Sequence, residues 1–315
     1  MRKMFIGSYA LALVLISVAA LADDLLPSDV EFKAVGVQTV PDPQLGFRGV
    51  PDSRQEVTKF VRGKEVSKTN STLGPNGFRI SSASGKAGKK EHFLLIGGSI
   101  IFGSGLNDDE TLAHWANVRS THFEVYPVSL LGYQLPHQWM LFKNGDLPQK
   151  ITQKKGRAII YLNSGSVLGA AGDVSQLPII ENWPLLRKNA SGEFEFAGLF
   201  SQAAGLRDRL LLKFCVPVAA CRSFISGNPE PTEAQLRTSA AMIESLAQMY
   251  KTQFEVDDFR IAWGDPSDVQ VKMLSTMTSI PVFHWKRRGK TVDGHPDAEG
   301  IKQMADDLFD AKVIF

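Results

Sequence analysis

The sequence predicts an α/β protein: a three-layer α/β/α arrangement with a central parallel sheet covered by helices on both faces. Two observations carry that expectation. From residue 91 onward, apolar runs of strand length stand at 93–96 and 158–162, and further strand candidates rich in apolar residues at 123–130, 259–263 and 281–285. Between several of them lie helix-start signals followed by apolar residues at helical spacing. Strands buried on both faces read as continuous apolar runs, and alternation of such strands with helices favours a parallel sheet.

The first 22 residues differ from the rest. Arg2 and Lys3 give a basic start, an apolar run extends from Tyr9 to Leu21, and Ala20-Leu21-Ala22 is a small-x-small pattern ahead of Asp23-Asp24. This is the layout of a secretory signal peptide, so residues 1–22 are expected to direct export to the periplasm or the exterior. The run is short for a membrane span. An uncleaved anchor is the alternative; after cleavage no span is expected. Residues 23–90 carry turn signals at Pro41-Asp42-Pro43, Gly49-Val50-Pro51 and Gly74-Pro75-Asn76-Gly77. They are expected to form a largely irregular segment, with strand candidates at 56–60 and 78–80, that packs on the main domain.

The main domain is expected to occupy residues 91–315. Asn107 and Glu110 have capping-box spacing ahead of Leu112, Trp115 and Ala116. A helix is expected from about Pro136, with proline in its first turn. Residues 164–230 are less regular and read as an insertion. Thr232 and Gln235 form a second capping box, ahead of Leu236, Ile243, Leu246 and Tyr250. Asp297 is placed to cap a last helix whose inner face carries Ile301, Met304 and Leu308.

Composition excludes some classes. A formal charge of +2 over 315 residues suggests neither a nucleic-acid partner nor a strongly acidic one. The hydrophobic fraction of 43% is enough for a sizeable core. The two cysteines, Cys215 and Cys221, would pair in an oxidising compartment or remain as two buried thiols. Six histidines form no His-Glu-x-x-His or His-x-His pattern, so no metal site is expected. There is no phosphate-cradling Gly-x-x-x-x-Gly-Lys-Ser/Thr loop and no Gly-x-Ser-x-Gly elbow. No cofactor is expected.

One constellation could do chemistry. Ser99 follows a predicted strand and two glycines, Gly97 and Gly98, which let the backbone turn sharply and expose the hydroxyl. A serine needs a base within hydrogen-bond reach, and the base needs an orienting group. Asp293-Gly294-His295-Pro296, near the other end of the domain, offers both: His295 as base and Asp293 as its orienter. Parallel α/β sheets present active sites at the carboxyl ends of their strands, which is where Ser99 falls.

Two blocks then resemble the SGNH (GDSL-like) hydrolases. Gly97-Gly-Ser99-Ile-Ile-Phe-Gly103-Ser-Gly105-Leu-Asn-Asp-Asp-Glu110-Thr111 is similar to the family's first block, and Asp293-Gly-His295-Pro-Asp-Ala-Glu-Gly300 to its last. Asp42-Pro-Gln-Leu-Gly-Phe-Arg48, Thr69-Asn70 and Gly77-Phe-Arg79 resemble a segment that precedes the nucleophile in a bacterial subset. The resemblance runs from about 40 to 310. It implies a flavodoxin-like fold, Ser99 as nucleophile, His295 as base and Asp293 as orienter. It also implies an oxyanion hole from the Ser99 amide, Gly132 and an asparagine. Two positions depart from the pattern. Gly98 stands where an aspartate is usual, and Asn163-Ser164-Gly165-Ser166 replaces Gly-x-Asn-Asp, which makes Asn163 the remaining asparagine candidate. His137 and Ser166 are candidates for lining the pocket, although a packing role suits His137 better.

The expected function is hydrolysis of an acyl ester, an O-acetyl ester being one candidate, outside the cytoplasm. The expected partner is a small acyl ester or an acylated glycan. The alternatives are an O-acyltransferase acting on an envelope polysaccharide, and a catalytically weakened relative kept for binding.

Overall fold

The computed structural model describes residues 30–83, 88–145, 147–176, 180–218, 230–256, 258–286, 288–289 and 295–310. The expected signal segment and Cys221 lie outside the described residues.

The chain is already sheet-forming before residue 90. Strands β1 (Val30–Val35), β4 (Arg54–Val61) and β5 (Lys64–Thr72) make an antiparallel sheet in the order β1-β4-β5. Between its first two strands, β2 (Thr39–Asp42) and β3 (Gly46–Gly49) pair as a hairpin. The sequence predicts a mostly irregular segment here. The difference has a physical reason: β5 reads Lys-Glu-Val-Ser-Lys-Thr-Asn-Ser-Thr, with a single aliphatic residue, so no apolar alternation announces it. Its ladder to β4 supplies one side. On the other, the amides of Asn70 and Thr72 donate to the side chains of Asn107 and Asp108, at 3.0 and 3.1 Å.

The main sheet has five parallel strands: β6 (Glu91–Ile96), β7 (Phe123–Val128), β8 (Lys155–Leu162), β11 (Phe259–Trp263) and β12 (Val282–His284). Their spatial order is β7-β6-β8-β11-β12. Numbered within this sheet, that is 2-1-3-4-5, the flavodoxin-like order. Alternate side chains divide the core into two. Leu94, Ile96, Ile160, Leu162, Ile261 and Trp263 face one side, and Phe93, Leu95, Ile159, Tyr161 and Ala262 the other.

Helices cover both sides. After β6 come α1 (Ser99–Phe102) and α2 (Leu112–Arg119); after β7 come α3 (Leu135–Lys143) and α4 (Leu147–Lys150). The first face receives α3 and also α8 (Glu233–Phe254), through Leu236, Ile243, Leu246 and Tyr250. The second receives α1, α2 and α10 (Ala298–Asp310), the last through Ile301, Met304 and Leu308. Each such buried aliphatic or aromatic side chain contributes about 1.5–3 kcal/mol of transfer free energy.

The capping signals hold with one shift. Thr232 Oγ1 accepts from Gln235 N at 3.3 Å, and the Gln235 side chain accepts from Thr232 N at 2.8 Å. Asp297 Oδ1 accepts from Gly300 N at 2.8 Å. At Asn107, Glu110 does reach back to the backbone amide, at 2.8 Å, but α2 begins later, with Thr111 as its N-cap. Asn107 is drawn away because its side chain serves β5 instead.

The insertion after β8 contains α5 (Ser164–Ala170), the hairpin β9 (Pro184–Lys188) and β10 (Phe194–Leu199), then α6 (Phe200–Ala203) and α7 (Leu206–Phe214). It has its own small core of Ile180, Trp183, Phe200 and Ala204. Cys215, directly after α7, is buried and disulfide-bonded. Helix α9 (Asp268–Met277) links β11 to β12.

Candidate active site

β6 ends at Ile96, and the chain turns through Gly97 and Gly98 into α1, whose first residue is Ser99. The turn is tight. A Cβ on Gly97 would lie 2.5 Å from Ile101 Cγ1, and one on Gly98 would lie 2.7 Å from the Tyr133 carbonyl oxygen. Glycines therefore let the loop after β7 press against the loop that carries the serine. The strand order reverses between β6 and β8, so Ser99 sits at the topological switch point, where open α/β sheets form their crevice.

His295 arrives from the far end of the sequence. Its Nε2 lies 2.8 Å from Ser99 Oγ, across 196 residues of chain. With the serine hydroxyl donating, Nε2 is the acceptor and the ring proton sits on Nδ1. Asp293, expected to orient the imidazole, lies outside the described residues. Asp297, two residues beyond His295, is engaged as the cap of α10.

The oxyanion candidates come from neighbouring loops. Gly132 adopts φ +82°, a conformation that disfavours any side chain, and Phe47 closes over it. Asn163 is the N-cap of α5. Its Oδ1 accepts from Ser166 N at 2.9 Å and from Ser166 Oγ at 3.1 Å. Because the amide nitrogen of an asparagine donates and cannot accept, these bonds fix the side-chain orientation and direct Nδ2 away from α5.

Ser166 and His137, candidates for lining the pocket, occupy different places. Ser166 is buried and turned onto Asn163, so it positions that side chain. His137 is fully buried in the first turn of α3. It stacks on Tyr133 with centroids 4.6 Å apart, meets Trp183 edge-on at 5.6 Å, and accepts from Gln134 N at 3.1 Å through Nδ1. Burial pushes its pKa down to about 3. It is a neutral packing histidine.

Sequence reasoning missed two supports. Arg79 is almost fully buried, and its five N–H donors all find acceptors. Nε meets Asp108 Oδ1 at 3.0 Å; Nη1 meets the carbonyls of Phe102 and Gly103 at 2.9 and 2.7 Å; Nη2 meets those of Asn70 and Leu106 at 3.2 and 2.6 Å. Burial lowers the Arg79 pKa, and Asp108 works against that shift. The guanidinium thus braces the end of the helix that Ser99 begins. Asp265, at the carboxyl end of β11, accepts from Ser164 N at 2.6 Å and ties down the start of α5. Gly77-Phe78-Arg79 belonged to a recognisable stretch, so Arg79 had a signal; Asp265 had none.

A cavity of about 460 Å³ lies between the N-terminal sheet and the loops that follow Ser99 and His295. Lys59, Ser67 and Thr69 line it from β4 and β5, Leu106 from beyond α1, and Pro296 from beside His295. This size suits a small organic ligand. Another cavity, of about 580 Å³ near Glu244 and Pro281, is at the amino ends of the strands, away from the dyad. Among the described residues no cluster of histidine, cysteine, aspartate or glutamate could hold a metal ion.

Fold and site together define a flavodoxin-like α/β protein with a serine–histidine pair at its switch point. The strand order is the one implied by the resemblance to the SGNH hydrolases. No protein-family model matches the chain, and no curated protein matches it. Among solved structures it is similar to an acetyl xylan esterase (Est2A) from the rumen bacterium Butyrivibrio proteoclasticus. That match has 9% identity, covers 91% of this chain and 90% of that one, and has a TM-score of 0.40. It is also similar to a salicylyl-acyltransferase (SsfX3) from a tetracycline biosynthetic pathway, with 14% identity, 91% and 79% coverage and a TM-score of 0.35. Likenesses this loose carry no weight for what the chain does.

Proposed function

We propose that this protein is a serine esterase of the SGNH type that hydrolyses an acyl ester, with an O-acetylated glycan as a candidate substrate, outside the cytoplasm. The observation that carries the reading is the 2.8 Å approach of His295 Nε2 to Ser99 Oγ at the switch point of the sheet. In this reading His295 takes the Ser99 proton as Oγ attacks the ester carbonyl carbon. The oxyanion that develops is met by the amides of Ser99 and Gly132 and by Asn163 Nδ2. The tetrahedral intermediate collapses, the ester C–O bond breaks, and the leaving alkoxide takes the proton from His295. Water, activated by the same imidazole, then attacks the acyl-enzyme, and Oγ leaves with the proton. Asp293 would hold Nδ1–H and stabilise the imidazolium. The cavity beside Pro296 offers room for the alcohol part of the ester. The basic, apolar N-terminus motivates the placement outside the cytoplasm.

The test is hydrolysis of p-nitrophenyl acetate, with labelling by a fluorophosphonate probe. Wild type is expected to turn over and to label at Ser99. Ser99→Ala is expected to lose labelling and at least about 10³-fold in kcat/KM while unfolding at an unchanged temperature. A folded wild type that neither labels nor hydrolyses would overturn the reading. With a glycan acceptor present, acetyl appearing on the glycan rather than as free acetate would replace hydrolysis by transfer.

A further inference from the structure

Three exposed apolar side chains share one face of α7, and a fourth follows beyond its end. Leu206, Leu210, Phe214 and Val218 follow one another at intervals of four along α7 and just beyond it, and are 67, 46, 63 and 40% exposed. Residues four apart share a helix face. Beside the stripe, Leu211, Leu212 and Val216 pack on the core of Trp183 and Phe200, and Cys215 is buried and disulfide-bonded. The partly buried Leu211 and Leu212 attach the helix to the protein, and the stripe remains exposed.

Cations flank and interrupt the stripe. Arg207, Arg209 and Lys213 lie on α7 against a single acid, Asp208. Among the described residues none of these three cations forms an ion pair, and Lys213 Nζ lies 5.5 Å from the centroid of the Phe214 ring. An apolar face bordered by uncompensated cations is the pattern of a helix that lies in a membrane interface. A second copy of this chain fits less well, because a two-fold contact through this face would bring the same cations together. No helix among the described residues is long and apolar enough to cross a membrane, so contact through α7 would be peripheral.

We propose that α7 docks the protein on an anionic phospholipid surface, with Leu206, Leu210 and Phe214 at the acyl boundary and the three cations among the headgroup phosphates. The inference does not depend on the esterase reading. The test is hydrogen–deuterium exchange of the full chain, with and without vesicles of phosphatidylcholine and phosphatidylglycerol at 7:3. Amides within 206–218 are expected to gain protection with these vesicles, and much less with phosphatidylcholine alone. Phe214→Asp is expected to weaken vesicle binding through this segment about tenfold or more. Lys213→Glu is expected to weaken it about fivefold or more. Because exchange is read segment by segment, contact made by the apolar N-terminus does not mimic the result. Three outcomes overturn the proposal: no change at 206–218 with vesicles while wild type stays folded, protection already complete without lipid, or protection that grows with protein concentration instead of lipid.

Discussion

The carbonyl oxygen of Tyr133 occupies the space where a side chain on Gly98 would begin, 2.7 Å from the position of its Cβ. The loop after β7 can lie against the serine loop only because residue 98 has no side chain. Restoring the aspartate usual in the resembling block, Gly98→Asp, should therefore harm the protein. Forcing the loops apart is expected to cost about 1–3 kcal/mol, and displacing Gly132 with them should lower kcat. Urea unfolding and ester hydrolysis of the variant check both; a variant as stable and active as wild type would refute the close approach.

Asn163 has two separable jobs. As N-cap its Oδ1 holds Ser166, and as a proposed oxyanion donor its Nδ2 would face the substrate. Aspartate caps helices as well as asparagine but has no N–H to donate. Asn163→Asp is thus expected to keep stability within about 1 kcal/mol while losing about 10²–10³ in kcat. Paired unfolding and kinetic measurements decide it. A variant that keeps its rate removes Asn163 from the oxyanion hole.

The Arg79 guanidinium fills five acceptors around the end of α1. Lysine is a point donor and cannot reproduce that fork. Arg79→Lys is expected to destabilise by about 3 kcal/mol, as breaking a buried pair does, and to reduce activity although residue 79 touches no substrate. Chemical denaturation and kcat measured on the same preparation test this.

His137 makes stability sensitive to acid. Its folded pKa is near 3, whereas an unfolded histidine titrates near 6.5. Between those values the unfolded chain binds the extra proton. The contribution is fully present above the unfolded value and declines as pH falls, by about 1.4 kcal/mol per pH unit in the steep region. Burial lowers the His92 pKa too, so it acts in the same direction. Unfolding free energies at pH 7.5 and 5.5 should fall more steeply for wild type than for His137→Phe. Equal slopes would show that His137 protonates in the folded protein.

The parallel sheet was legible because each core strand is a short segment rich in apolar residues, broken only by single polar positions such as Glu124 and Arg260, and Ser99 because two glycines mark the turn after the first of them. The last helix was legible from Asp297 and from the spacing of Ile301, Met304 and Leu308. What sequence reading lost was structure held by polar contacts. β5 is recognisable only once Asn107 and Asp108 are seen against its amides. The late start of α2 has the same cause, since Asn107 is spent on that strand. Ser166, a pocket candidate, donates its hydroxyl to Asn163, a contact that sequence spacing does not announce. Asp293 lies outside the described residues, so its role rests on its spacing from His295 and on the family resemblance.

The clasp on β5 reaches beyond the site. An edge strand with bare amides invites another chain to extend the sheet. Here Asn107 and Asp108 occupy the amides of Asn70 and Thr72, while Lys64 and Lys68 place charge on the rest of that strand. Whatever loosens the segment behind Ser99 would also uncover a template for aggregation, so the loop that borders the proposed crevice helps to keep the molecules apart.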